Sequence, residues 1–92
     1  MNKAFDSAEI EANLKSFPKW KLVSGAIERE FIFSDFKEAF AFMTKVAAIA
    51  EDLNHHPDWT NVYNRVKVRL NTHDAHGITN LDFELARRID NL

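Results

Sequence analysis

The sequence predicts an α+β domain: a four-stranded antiparallel sheet with three helices packed on one face, in the order α-β-β-α-β-β-α. Two apolar stretches of period two, each folded about a turn, predict the strands, and a long amphipathic segment between them predicts the central helix. Capping signals ahead of three segments complete the pattern. Hairpins separated by a helix favour antiparallel pairing, because parallel crossovers need strands and helices to alternate singly. With 92 residues, 46% of them hydrophobic, the chain reads as one domain over 1–92 with one core and one site.

Asp6 and Ser7 can cap the first helix, Glu9 completes a box-like pattern, and Ile10, Leu14 and Phe17 form its apolar stripe until Pro18 ends it. Trp20 to Phe33 reads as a hairpin turning at Ser24-Gly25, with Ile27, Phe31 and Phe33 recurring at period two. Trp20 reads as core. Ser34 and Asp35, with Glu38 following, start the long helix 35–54. Its predicted sheet-facing stripe is Phe36, Ala39, Phe40, Met43, Val46, Ala47, Ala50 and Leu53. Phe42 and Ile49, with Ala41 and Ala48, form a second apolar row, wider than one sheet covers, which suggests a second packing partner.

Asn54 to Pro57 closes this helix, since proline disfavours helical geometry in the residue before it, His56. Trp59–Tyr63 and Val66–Leu70 predict the second hairpin, turning at Asn64-Arg65, with Val66, Val68 and Leu70 inward. Arg65, Lys67 and Arg69 share the other face and read as a solvated edge that discourages aggregation. A loop over Asn71–Ile78 leads to the last helix, capped by Thr79 with Asp82 and buried through Leu81, Leu85 and Ile89.

Composition excludes several functions. A formal net charge of −2 gives no global field to hold nucleic acid or anionic lipid. No stretch is long enough to span a membrane, and Met1 to Phe17 lacks the apolar run of a signal peptide. Cysteine is absent, which removes disulfides and thiolate chemistry and fits a reducing compartment; the cytoplasm is the expected location. No nucleophile elbow, phosphate loop or dinucleotide fingerprint is present.

All 4 histidines fall between His55 and His76. Histidine is the side chain best suited to proton transfer near neutral pH. His55 and His56 stand where the long helix breaks, so their side chains diverge. Glu51, four residues before His55 and on the same helical face, is positioned to hold that imidazole by a hydrogen bond and favour its protonated form. His73 follows the fourth strand, whose end should lie near the start of the third, so the three imidazoles can converge. A metal site is the rival reading, with His73 and His76 as two ligands, but adjacent histidines at a helix end rarely point at one ion and no helical H-x-x-x-H pair is present. No metal is expected. His76, beside Gly77, reads as a solvated loop residue. Trp59, three residues from His56, reads either as core or as a wall for a flat ring.

The pattern Glu51-x-x-x-His55-His56-Pro57, then five residues to Tyr63, nine to His73 and eight to Asp82, resembles the signature of the pterin-4a-carbinolamine dehydratase family over essentially the whole chain. Phe40–Met43 and Asn61–Asn64 are also similar to family members. The resemblance implies elimination of water from 4a-hydroxytetrahydropterin to give quinonoid dihydropterin, recycling the cofactor of aromatic amino-acid hydroxylases with no cofactor of its own. It implies His55 and His73 as proton-transfer residues, acid and base unassigned, with His56 contacting the pterin or sharing the acid role and Glu51 orienting His55. Pro57 and Trp59 would shape the pocket, backbone groups around Thr72, His73 and Asp74 would meet the pterin edge, and Asp82 would be a motif acid or a helix cap. Asn54 and Leu81 depart from the animal pattern, which has Asp and Arg there. Beyond the pterin, the expected partner is a second copy, as homodimer or homotetramer through the helix 35–54. The alternative function is a protein-binding module, since animal family members also serve as dimerisation partners of a homeodomain transcription factor.

Overall fold

A computed structural model of the chain describes residues 3–92; Met1 and Asn2, the start of the stretch read above for a signal peptide, lie outside the described residues. The elements are α1 (Ser7–Leu14), β1 (Lys21–Val23), β2 (Ala26–Ile32), α2 (Phe36–Leu53), β3 (Asp58–Val62), β4 (Arg65–Leu70), a 3₁₀ turn (His73–Ala75) and α3 (Asn80–Asp90). The predicted order and class hold. Strands run β1-β2-β4-β3, all antiparallel, so the two hairpins join through β2 and β4 at the centre of the sheet.

The capping signals act as their chemistry requires. Asp6 and Glu9 form a reciprocal box at α1, as do Thr79 and Asp82 at α3, while the Asp35 carboxylate accepts from Glu38 N–H at α2. Ser24 (φ 48°) and Gly25 (φ 80°) turn the first hairpin in the left-handed region. The second turns one residue earlier than predicted, at Tyr63-Asn64, with Tyr63 at φ 49°. Side-chain amides hold it there: Asn61 Nδ2 donates to the carbonyls of Tyr63 and Arg65, and Asn64 Nδ2 donates to that of Phe33.

The long helix is rotated from the predicted stripe. Phe42 and Ile49 are buried with Ala39, Val46 and Ala50, whereas Phe36, Phe40 and Ala47 are exposed. Both rows fit helical spacing, and the strand opposite decides between them. The Phe42 ring lies 4.5 Å from Phe31 of β2 and 5.0 Å from Phe33 just beyond that strand. Ala39, Val46 and Ala50 of the predicted stripe stay inside and Phe42 and Ile49 of the second row join them, while Ala41 and Ala48 are exposed and Phe36 and Phe40 form an outer pair.

Arg65, Lys67 and Arg69 lie on an interior strand rather than at an edge, so they guard a face instead. Across it Arg69 pairs with Glu28 at 2.8 Å and Arg65 approaches Glu30 at 4.0 Å. Leu81 is only half-buried, and the inward stripe of α3 is Asp82, Phe83, Leu85, Ala86 and Ile89. Trp20 is buried as expected, its indole N–H donating to Asp90. Among the described residues no helix is long and apolar enough to cross a membrane.

Candidate active site

The end of α2 determines where both adjacent histidines go. Asn54 adopts the left-handed conformation (φ 50°), and the following N–H, of His55, returns to the Ala50 carbonyl at 3.0 Å. This is a Schellman-type stop, in which asparagine substitutes for the usual glycine. The helix therefore ends at Asn54, before Pro57 exerts any influence.

That stop breaks the helical register between Glu51 and His55, and the expected pair does not form. Instead His55 turns inward, and its Nε2 lies 2.6 Å from Asp82 Oδ1 of α3. His56 remains outside, and its Nε2 meets Glu51 Oε2 at 2.5 Å. His55 is 8% exposed and Asp82 is 0% exposed. Both members of the outer pair face solvent.

Asp82 is satisfied on both oxygens. Its Oδ1 accepts from His55, and its Oδ2 accepts from Thr79 N–H at 2.8 Å and from the Thr72 hydroxyl at 2.9 Å. One carboxylate thus caps α3 and grips an imidazole 27 residues away in sequence.

β4 delivers the third imidazole. Its end pairs with the start of β3, Arg69 opposite Asp58, so the chain leaving β4 passes the residues leaving α2. A Thr72–Gly77 bridge then closes the loop, and His73 opens the 3₁₀ turn inside it. A cleft of about 260 Å³ results, lined by Asn54, His55, His56, Asn71, Thr72, His73, Asp74 and Leu81.

His55, His56, His73, Thr72 and Asp74 are therefore brought together, and Asp82 stands behind His55. Glu51, Pro57 and Trp59 do not line the cleft. Trp59 lies opposite buried Val68 and packs on the core face of the sheet, because strand alternation turns it away from the helix end. Thr72 cannot offer its backbone to a ligand: its N–H donates to Gly77, and its carbonyl accepts from Ala75 and Gly77. The N–H groups of His73 and Asp74 have no partner among the described residues and are the backbone donors left at this end of the loop. Asn54 and Leu81, noted above as departures from the animal pattern, also line the cleft, and Asn71 is the lining residue that sequence reasoning missed.

Among the described residues no group of three or more His, Asp or Glu side chains is arranged to hold a metal ion. A larger cleft of about 340 Å³, floored by Phe31, Phe33 and Phe42 between β2 and α2, contains no imidazole.

The family model for pterin 4 alpha carbinolamine dehydratase matches residues 3–92. The chain belongs to the pterin-4a-carbinolamine dehydratase family. A Prochlorococcus marinus relative is 52% identical over 97% of this chain and 93% of its own, and a Synechococcus relative is 48% identical over 100% and 99%. Both carry the provisional name pterin-4-alpha-carbinolamine dehydratase. A crystal structure from Brucella melitensis, described as a transcriptional coactivator/pterin dehydratase, superposes with a TM-score of 0.93 at 42% identity, covering 97% of each chain. The resemblance carried by the histidine motif is thus met across the whole chain, and the expectation of an enzyme of the dehydratase kind is met at the level of the family.

Proposed function

We propose that this chain dehydrates a 4a-hydroxytetrahydropterin to the quinonoid dihydropterin, with the proton transfers made by histidine. The convergence of His55, His56 and His73 on one cleft, with His55 gripped by buried Asp82, is the observation that carries this reading. In the elimination the C4a–O bond breaks, the departing oxygen takes a proton and leaves as water, and a ring nitrogen gives up its proton. Two imidazoles meet those needs, and positioned proton transfer contributes about 10²- to 10⁴-fold. His55 and His73 are the residues for these steps, and His56, held from outside by Glu51, contacts the pterin. The N–H donors of His73 and Asp74 suit the polar edge of a flat heterocycle. A cysteine-free chain fits the cytoplasm, where such a step would follow a hydroxylase.

Stopped-flow measurement of dehydration, with the 4a-hydroxypterin generated in place, tests this directly. Wild-type protein should accelerate the reaction, and His55→Ala and His73→Ala should each remove most of the acceleration while remaining folded. Wild-type protein no faster than buffer would overturn the proposal.

The exposed Phe36 and Phe40 pair, on the solvent side of α2, supports self-association through that helix as a second property of the chain. The coactivator description of the Brucella melitensis protein makes a foreign protein the competing occupant of the same surface. Light scattering on the purified chain separates them, since a strict monomer at micromolar concentration would rule out the homo-oligomer.

A further inference from the structure

Thr72 sits at the rim of the cleft, yet its hydroxyl is aimed at the protein. Its Oγ1 lies 2.9 Å from Asp82 Oδ2 and 2.8 Å from Thr79 Oγ1, which in turn accepts from Leu81 N–H at 3.2 Å. The direction of these bonds follows from the acceptor at the end. A carboxylate only accepts, so the single Thr72 proton goes to Asp82 and the Thr79 hydroxyl donates to Thr72. On the other oxygen the same rule makes His55 Nε2 the donor at 2.6 Å. In the neutral imidazole the proton then resides on Nε2, and Nδ1 carries the lone pair. Nδ1 has no partner among the described residues, so it is the nitrogen left for a ligand.

We infer that Thr72 is a positioning residue: its hydroxyl, relayed from Thr79, fixes the Asp82 carboxylate so that His55 presents Nδ1 to the cleft as a proton acceptor. The inference rests on the proposed dehydratase reading for its chemistry, and it deepens that reading by giving His55 the base role. The ring nitrogen of the substrate loses its proton to Nδ1, and the imidazolium so formed keeps its Nε2–H on Asp82. Without the Thr72 hydroxyl, Asp82 keeps its bond to His55 on Oδ1 but only the Thr79 N–H on Oδ2, so one of the two bonds that hold the carboxylate from behind is lost.

Thr72 is the position at which to test this, because the Thr79 hydroxyl also caps α3 whereas the Thr72 hydroxyl caps nothing. The Thr72 backbone is held independently by its bridge to Gly77, so Thr72→Val removes the hydroxyl with the loop still tied. The primary readout is the tautomer of His55, from long-range proton–nitrogen NMR of the neutral imidazole. Wild type should give the Nε2-protonated signature, Thr72→Val a mixture of both tautomers, and Thr72→Ser the wild-type signature again. In the dehydration assay Thr72→Val should lower kcat about 10- to 100-fold with little change in KM, with Thr72→Ser largely restored. A His55 that is Nδ1-protonated in wild type, or unchanged in folded Thr72→Val with kcat intact, would overturn the inference. Because the tautomer is read without turnover, a correctly locked His55 in an inactive wild-type protein would uphold the positioning role and defeat only the dehydratase reading.

Discussion

Two imidazole–carboxylate pairs lie side by side at the end of α2, and they are built in opposite ways. His55 and Asp82 meet inside the protein, joined across two helices and backed by Thr72, Thr79 and the N-terminus of α3. His56 and Glu51 meet in solvent, five residues apart on one segment, with no further support among the described residues. The distances are nearly equal, 2.6 and 2.5 Å. Surroundings, not separation, decide what each contributes. A pair in water gains little, because screening and side-chain entropy offset the attraction. A buried pair whose other lone pairs are occupied becomes a fixed piece of structure, and removing one partner leaves a desolvated polar group behind.

The largest effect should come from cutting the inner pair at its carboxylate. Asp82→Ala leaves His55, Thr72 and Thr79 N–H without their common acceptor, so unfolding free energy should drop by about 3 kcal/mol in denaturant titrations. Dehydration should fall by about 10²-fold or more, at least as far as in His55→Ala. A fully stable and active Asp82→Ala protein would erase the distinction between the pairs.

A middle-sized effect should come from the residue that separates them. Asn54→Ala forces an ordinary side chain into φ 50° and should cost about 1 kcal/mol. Asn54→Gly, free of that strain, should match or exceed the wild-type melting temperature and keep its activity. Equal stability of the two variants would mean that the left-handed stop does not govern the divergence of His55 and His56.

The smallest effect should come from the outer pair. Glu51→Gln should change stability by less than about 0.5 kcal/mol, with any difference disappearing in high salt. Dehydration should stay within about threefold of wild type. A loss comparable to Asp82→Ala would restore Glu51 to the orienting role that sequence spacing alone had given it.

That reassignment marks the limit of what the sequence displays. Capping residues were legible because they act on neighbours: Asp6, Asp35 and Thr79 each bond within their own helix turn. Strand alternation was legible for the same reason, with Val66, Val68 and Leu70 buried as their period requires. Convergence of His55 and His73 followed from hairpin geometry. Spacing pairs Glu51 with His55 only where a helix runs on through Asn54, and Asn54 ends it. Asp82 was visible as a cap but not as the partner of His55, because that contact depends on how α3 docks against α2. The rotation of α2 was hidden likewise: two apolar rows compete on one helix, and the rings of Phe31 and Phe33 choose Phe42 over Phe40. Trp59 stood as near His56 in sequence as any pocket wall, but the pleat of β3 turns it to the core.

The most direct test of the histidine cleft is a crystal structure of the chain soaked with a dihydropterin. The flat ring should lie between His55, His56 and His73, with His55 Nδ1 in hydrogen-bond reach of a ring nitrogen and the bond from Nε2 to Asp82 intact. Ring density instead against Phe31 and Phe42 in the other cleft, with the histidines unoccupied, would contradict it.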